Sequence, residues 1–400
     1  MDCEQQPLPE LAKGEQPIRG VRNMGEPFRF SDVENLAGFS AAPVQAGQSV
    51  GVITKLALTS DEPRFHRFVE SFADVIRHMA QQAGASVSLR RASTVLLVLK
   101  PAGHAELWVD TAAVSLLCTV KRAIKARTAV FEGDVADITG MSFPCVAIGK
   151  EDKVLCLFRQ DWRFGFAFDM NPDGKLDLDG FTTTLGSLYR TMRYRHLYDA
   201  MHDEALFSRL VMVGWFPFSE IITAEFRDLL RQCEAGFDLS EIESQIIAKF
   251  DELRMQNIRE RWIAKSHFAA KAGLLDAAIT AFLNKQPVAV IKILLTEIEG
   301  VLNDAYRAAN GGQGAKLKDL LVFAEASAER KAGASDTLLF PKAFGRYLRE
   351  HTFANFDPDA QTGTAGSRHA VGHGAAHQDS YTMSRALQAI LTLDQLAFYT

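Results

Sequence analysis

Residues 143–170 read FPCVAIGKEDKVLCLFRQDWRFGFAFDM, and the fold turns on them, because this is the last stretch in which the chain alternates like a sheet. It reads as three strands joined at GKED and QDW, short apolar runs broken by residues that suit turns. Upstream, residues 93–120, STVLLVLKPAGHAELWVDTAAVSLLCTV, read as two apolar runs joined by the turn PAGH. Earlier still, EPRFHRFVESFADVIRHMAQQAG places Phe65, Phe68, Val69, Phe72, Val75, Ile76 and Met79 at helical spacing and stops at Gly84, which predicts an amphipathic helix. Downstream the signal changes. After residue 183, Leu, Ile and Ala recur at helical spacing through 185–213, 219–233, 238–265, 270–284, 287–308, 316–330, 338–351 and 378–399.

The pattern predicts an α+β chain, with a small N-terminal antiparallel-sheet domain carrying a helix, followed by a mainly α-helical half. The expected divisions are a loosely ordered arm at 1–48, rich in Pro, Gly, Gln and Glu, a sheet domain at 49–183, a helical connector at 184–268 and a helical bundle at 269–400.

Composition bounds the function. With 400 residues, 47% hydrophobic and 23% charged, the chain can bury one large core or two to three ordinary ones. A net charge of −5 argues against a broad basic surface for non-specific nucleic-acid binding, so any RNA contact must be local. The five cysteines, Cys3, Cys118, Cys145, Cys156 and Cys233, are scattered with no pair at metal or redox spacing, and they read as reduced residues of a cytoplasmic protein. The first thirty residues hold no apolar core of a signal peptide, and no window approaches eighteen uninterrupted apolar residues. Neither secretion nor a membrane partner is expected.

Three stretches invite a site and are better explained otherwise. DMNPDGKLDLDG places Asp169, Asn171, Asp173, Gly174 and Asp177 as in a calcium-binding loop, but its twelfth position is Gly180 where a bidentate Glu belongs, and the preceding segment alternates like a strand. A hairpin or Asx-type turn explains it better. VMVGWFPFSEI gathers Trp215, Phe216 and Phe218 into an aromatic knot that looks exposed and could stack bases, though such a break more often plugs the junction of a helical bundle with a sheet. MRYRHLYDAMH, with Arg193, Arg195 and His196 beside Tyr194 and Tyr198, reads as a solvated helix face.

Residues 366–379, GSRHAVGHGAAHQD, are different, for they set one arginine and three histidines among small residues at or before the start of the last helix. An arginine fork can hold a phosphate and offset charge as it builds on phosphorus, while a histidine can exchange a proton with a ribose oxygen. Together these suffice for metal-independent cleavage of RNA, whose 2′-hydroxyl is a built-in nucleophile. On a regular helix Arg368 and His373 are about 140° apart around the axis. They can converge if Gly372 and Gly374 make the helix irregular, or if a second copy packs across a twofold axis, so a homodimer is expected. A zinc site on His369, His373 and His377 at i, i+4 and i+8 is an alternative, weakened by spacers AVG and GAA that supply no carboxylate. A solvated loop without a role is another.

These residues carry a resemblance. The region 270–400 resembles the HEPN family (higher eukaryotes and prokaryotes nucleotide-binding domains), compact helical bundles marked by an arginine, four to six residues and a histidine near the start of the last main helix. Arg368 and His373 match that motif, and His369 matches the polar residue that often follows the arginine. The helix AVIKILLTEIEGVLNDAYRA with Glu297 and Glu299, the segment DTLLFPKAFGRYLREHTF, and RHAVGHG running into SRALQAILTLDQLAFY also fit. The resemblance implies a HEPN-like bundle and a dimeric, metal-independent endoribonuclease, of the kind found as a toxin or effector in bacterial anti-phage and stress systems. Its catalytic residues would be Arg368, His373 and His369, its substrate RNA, and its further partners an antitoxin or trigger protein; no cofactor is implied. Some members keep the fold without cutting RNA, which leaves open a non-catalytic nucleotide-binding or protein-interaction module with an N-terminal sensor domain.

Overall fold

The computed structural model describes residues 21–82, 87–88, 91–355 and 364–400. Cys3, the first twenty residues of the expected arm and the helix stop at Gly84 lie outside the described residues. The described residues form two compact units, drawn from Met1–Leu117 with Thr139–Arg195 and from Cys118–Ile138 with His196–Thr400. The protein is α+β, with an N-terminal antiparallel sheet and a helical C-terminal half.

The first unit comprises β1 (Phe28–Phe30), β2 (Phe39–Ser40), β3 (Val52–Ile53), β4 (Lys55–Thr59), α1 (Pro63–Gln82), β5 (Thr94–Leu99) and β6 (Ala105–Val109). The chain leaves it along β7 (Ser115–Val120) and returns along β8 (Val135–Ser142), then adds β9 (Lys153–Gln160), β10 (Arg163–Asp169) and α2 (Leu178–Arg193). Six strands make one sheet in the order β1-β6-β5-β9-β10-β4, with every neighbouring pair antiparallel.

Both faces of this sheet are covered, which is why TVLLVL is apolar at every position rather than every second one. Val95, Leu97 and Leu99 pack with Phe65, Phe72 and Ile76 of α1, whereas Leu96 and Val98 pack with Phe181, Leu185 and Leu188 of α2. The hairpin β9–β10 turns through Asp161 and Trp162, with Asp161 in the left-handed region at φ 56°, a conformation Asp tolerates better than most residues. The loop after β10 is stabilised as Asx turns are: the Asp169 carboxylate accepts from the Asn171 N–H at 2.8 Å, and Asp177 caps α2 by accepting from the Gly180 N–H at 2.9 Å. It joins a strand to a helix, so the expected hairpin is replaced there by a strand-to-helix turn.

Two expectations are corrected in this unit. FPCVAI is no strand: Pro144 offers no N–H to a ladder, Val146 N–H closes a turn onto Phe143 O at 3.1 Å, and the third strand lies earlier, in β8. The arm is not wholly loose either, since β1 pairs with β6 at the sheet edge.

The second unit is built from α3 (Arg195–His202), α4 (Glu204–Met212), α5 (Ala224–Glu234), α6 (Ser240–Ala248), α7 (Glu252–Ile263), α8 (Ser266–Ala269), α9 (Ala272–Leu283), α10 (Pro287–Ala309), α11 (Leu317–Ala332) and α12 (Pro341–Tyr347). A π-helical turn at Leu348–Thr352 follows, then the one-turn α13 (Arg368–Gly372) and α14 (Met383–Tyr399). The segment 196–268 belongs to the same compact unit as 269–400. Every residue of α14 from Ala386 to Tyr399 is buried, so this helix is the central post of the unit.

Polar residues on that post must find partners inside the protein, and they do. Gln395 accepts from Ser219 N–H at 2.8 Å, Gln388 donates to Val213 O at 3.0 Å, and Asp394 pairs with Arg261 at 2.7 Å and accepts from Trp262 Nε1 at 3.0 Å. Arg261 also holds Glu220 at 2.8 Å, which in turn pairs with Arg254 at 2.9 Å. Beside them Lys121 is buried, and desolvation pulls its pKa down to about 8.

The aromatic knot lies inside this unit rather than on a surface, so it packs, as the break in the helical pattern suggested. Trp215, Phe216 and Phe218 are all 0% exposed, and Phe216 and Phe218 pack on Phe344 and Tyr347. No base can reach them. The stretch Met192–His202 is likewise less solvated than expected, for Tyr194 ends α2 and is buried, and buried Tyr198 donates to Asp336 O at 2.6 Å.

Candidate functional site

The stretch RHAVGHG forms α13, and its sequence dictates where the helix starts and stops. Ser367 is the N-cap, with its hydroxyl oxygen accepting from Ala370 N–H at 3.3 Å and its hydroxyl donating to Ala354 O at 2.7 Å. At the other end Gly374 N–H reaches Val371 O at 3.2 Å and Ala375 N–H reaches Ala370 O at 2.8 Å, the paired bonds of a Schellman motif. That motif needs a left-handed residue, and Gly374 supplies it at φ 71°. Buried Ala370 and Val371 dock the turn, and α13 lies against α10.

Arg368 is therefore the first residue of the turn and His373 its C-cap. The Arg368 guanidinium meets α10, where its Nη2 lies 2.8 Å from Glu299 Oε2. Both side chains keep about a third of their surface, 31% and 32%. Arg368 Nε is buried and has no hydrogen-bond partner. His369 is half-buried and His373 exposed. The other glutamate of the α10 motif, Glu297, is held elsewhere by Lys271 at 2.7 Å.

The structure thus brings Arg368 together with Glu299, and puts His369 and His373 on the same turn, His373 as its C-cap. The irregularity expected at the two glycines is confined to Gly374, while Gly372 stays helical. The histidine stripe at i, i+4 and i+8 does not exist, because the helix ends before His373 and His377 lies beyond the Schellman turn. Among the described residues, no three His, Cys, Asp or Glu side chains gather as metal ligands. Arg368 and its histidines lie before α14 rather than on it, in a separate turn followed by the short 3-10 helix Gln378–Ser380.

A second polar group adjoins this turn, unforeseen from sequence. On α14, Arg385 Nη1 donates to Val213 O at 3.0 Å and Gln388 Oε1 at 2.8 Å, and lies 3.5 Å from Nε2 of His351 in the π turn. His351 stacks on Tyr347 with ring centroids 5.2 Å apart. Burial, with the Arg385 charge second, pulls its pKa down to about 3, so the ring is neutral at any physiological pH. One signal was available: Arg385, Gln388, Thr392 and Gln395 fall at i, i+3, i+7 and i+10, a polar line down one side of an otherwise apolar helix.

Among the described residues, no helix is long and apolar enough to cross a membrane. Compared with models of known families, with curated proteins and with solved structures, the chain matches none.

Proposed function

We propose that the protein is a metal-independent endoribonuclease of HEPN type, acting as an effector in bacterial anti-phage or stress defence, with Arg368, His373 and His369 as its catalytic group. The observation that carries this reading is the Arg368 side chain: a guanidinium partly open to solvent, fixed at one nitrogen by Glu299, and left with an unfilled donor at Nε. A buried N–H without an acceptor costs on the order of 1–3 kcal/mol, and a phosphate oxygen is the acceptor such a fork suits best.

In this reading Arg368 binds the non-bridging oxygens of the scissile phosphate and offsets charge as the 2′-oxygen attacks. His373, exposed at the end of the turn, accepts the proton of the 2′-hydroxyl. The 5′-oxygen leaves and takes a proton, from His369 or from the histidine of a second copy, so the products are a 2′,3′-cyclic phosphate and a 5′-hydroxyl. A homodimer places two such turns across a twofold axis, which supplies the acid and the base from two chains.

The reaction chemistry gives the test. Single-stranded RNA incubated with the protein in EDTA should yield 2′,3′-cyclic phosphate ends, and the same oligomer carrying 2′-O-methyl groups should stay intact. Cleavage of the methylated oligomer, or products ending in a 5′-phosphate, would remove the proposal. The Arg368–Glu299 pair also fits a purely structural tie between α13 and α10, as in a non-catalytic interaction module. Intact RNA under all conditions would favour that second reading.

A further inference from the structure

We propose that Arg385 is a second phosphate-binding residue of the same site, gripping the backbone of the RNA strand that Arg368 engages. The inference rests on the ribonuclease reading for the identity of the anion, but its geometric support is independent of Arg368.

Arg385 is half-buried, and a guanidinium drawn partly out of water ordinarily meets a carboxylate, which this one does not. Its inner nitrogen, Nη1, is fixed by two neutral oxygens, Val213 O and Gln388 Oε1, and faces the neutral His351 ring. The nearby carboxylate, Glu243, is engaged elsewhere: Oε1 accepts from Trp215 Nε1 at 2.7 Å and Oε2 from Ser384 Oγ at 2.6 Å. Among the described residues no ion pair holds the guanidinium, and its Nε and Nη2 make no hydrogen bond yet are not sealed from solvent. The result is a planar fork held rigid on one edge and open on the other. Desolvation already lowers the Arg385 pKa, which reports a cation short of compensating charge. The first turn of α14 holds no acidic residue, so the peptide dipoles there add to the positive potential instead of relieving it.

An oxyanion on the open edge supplies the missing charge and matches the fork bidentately, and a lysine in its place would offer only a point charge. The link to α13 is the His351 ring. A Cβ built on Gly366 would lie 2.6 Å from its Cε1 and Nε2, so glycine alone lets the backbone rest there, two residues ahead of Arg368. Gly214 also approaches this ring, where a Cβ would lie 2.8 Å from its Cε1 and 2.1 Å from Arg385 Nη1. Both glycines thus close on the His351 ring, Gly214 on the Arg385 guanidinium as well, so only that ring separates the segment feeding Arg368 from Arg385.

The test uses a fluorescein-labelled, fully 2′-O-methylated single-stranded RNA, which binds without being cut, and fluorescence anisotropy across a salt series with the full chain. Arg385→Gln should raise Kd about tenfold and flatten the slope of log Kd against log salt by about 0.7, the increment for one phosphate contact on a single strand. Arg385→Lys should restore most of the slope but not the affinity. Should Arg385→Gln fail to fold, the unaltered chain serves: bound RNA should protect Arg385 from dicarbonyl modification, read by mass spectrometry. A folded Arg385→Gln protein with unchanged Kd and slope, or equal modification with and without RNA, overturns the inference. If cleavage of unmodified RNA survives Arg368→Ala while Arg385→Gln still weakens binding, the catalytic assignment of Arg368 fails and the phosphate site stands.

Discussion

The Glu299 carboxylate lies 2.8 Å from Nη2 of Arg368, so the residue best suited to hold a phosphate already holds an anion of its own chain. The pair is a third exposed on both sides, and such pairs contribute about 0–1 kcal/mol to stability. Its effect should therefore appear in ligand binding rather than in folding.

Glu299→Gln removes the internal competitor. Thermal stability should change by less than about 1 kcal/mol, while Kd for 2′-O-methylated RNA should fall about threefold or more as a negative charge leaves the site. The single-turnover cleavage rate should drop in the same variant, because the guanidinium loses the contact that orients it. Anisotropy and quench-flow cleavage on one preparation separate the two effects.

The two glycines of α13 should respond in opposite directions. Gly372 is helical, and a Cβ there would meet nothing within 4 Å, so Gly372→Ala should raise stability by up to about 1 kcal/mol. Gly374 is left-handed at φ 71°, so Gly374→Ala should cost about 1 kcal/mol and shift His373 at the C-cap. Melting curves check the first pair of numbers, and cleavage should fall only in the second variant.

His351 makes stability pH-dependent. Its pKa is about 3 in the fold, against the ordinary histidine value of about 6.5. Between those values the unfolded chain binds the proton that the folded chain refuses, so stability is full above pH 6.5 and falls as pH drops toward 3. From pH 7.5 to pH 5 the loss from this residue should be on the order of 2 kcal/mol. Urea unfolding at the two pH values should show a smaller difference for His351→Gln than for the unsubstituted chain. An equal difference would mean that the ring is not held neutral.

Asp394 anchors the buried charge network on α14. Asp394→Ala leaves the Arg261 guanidinium with Glu220 as its remaining carboxylate beside the buried end of α14, and the cost should be about 3 kcal/mol or more. A melt monitored by tryptophan fluorescence should show it directly, since Trp262 Nε1 bonds to the same carboxylate.

Much of the fold was legible because periodicity reports burial. The helix expected at 287–308 is α10, Pro287–Ala309, and the alternation of 153–169 is the hairpin β9–β10. Where apolar content came without a way to make ladder hydrogen bonds, as at Pro144, the reading failed. The aromatic knot was rightly read as packing rather than a base-stacking surface, but Gly and Pro around Trp215 could not tell which residues it packs on, and only the structure supplies Phe344 and Tyr347. At the candidate site, Arg368, His369 and His373 could be picked out by residue type, but their partner could not. Glu299 is 69 positions away along the chain, and its ion pair depends on how α13 docks on α10. His351 and Arg385 were harder still, since a half-buried arginine without a carboxylate is defined by what surrounds it in space.

The most direct measurement is cleavage of single-stranded RNA in EDTA by the unsubstituted chain and by Arg368→Ala and His373→Ala, each first shown by circular dichroism and ultracentrifugation to fold and assemble as the unsubstituted chain does. Each substitution should lower the single-turnover rate by about 10²–10⁴-fold, the usual contribution of a positioned proton-transfer or charge-stabilising group. Cleavage at the unsubstituted rate by either variant would contradict the assignment of Arg368 and His373 as the residues that cut RNA.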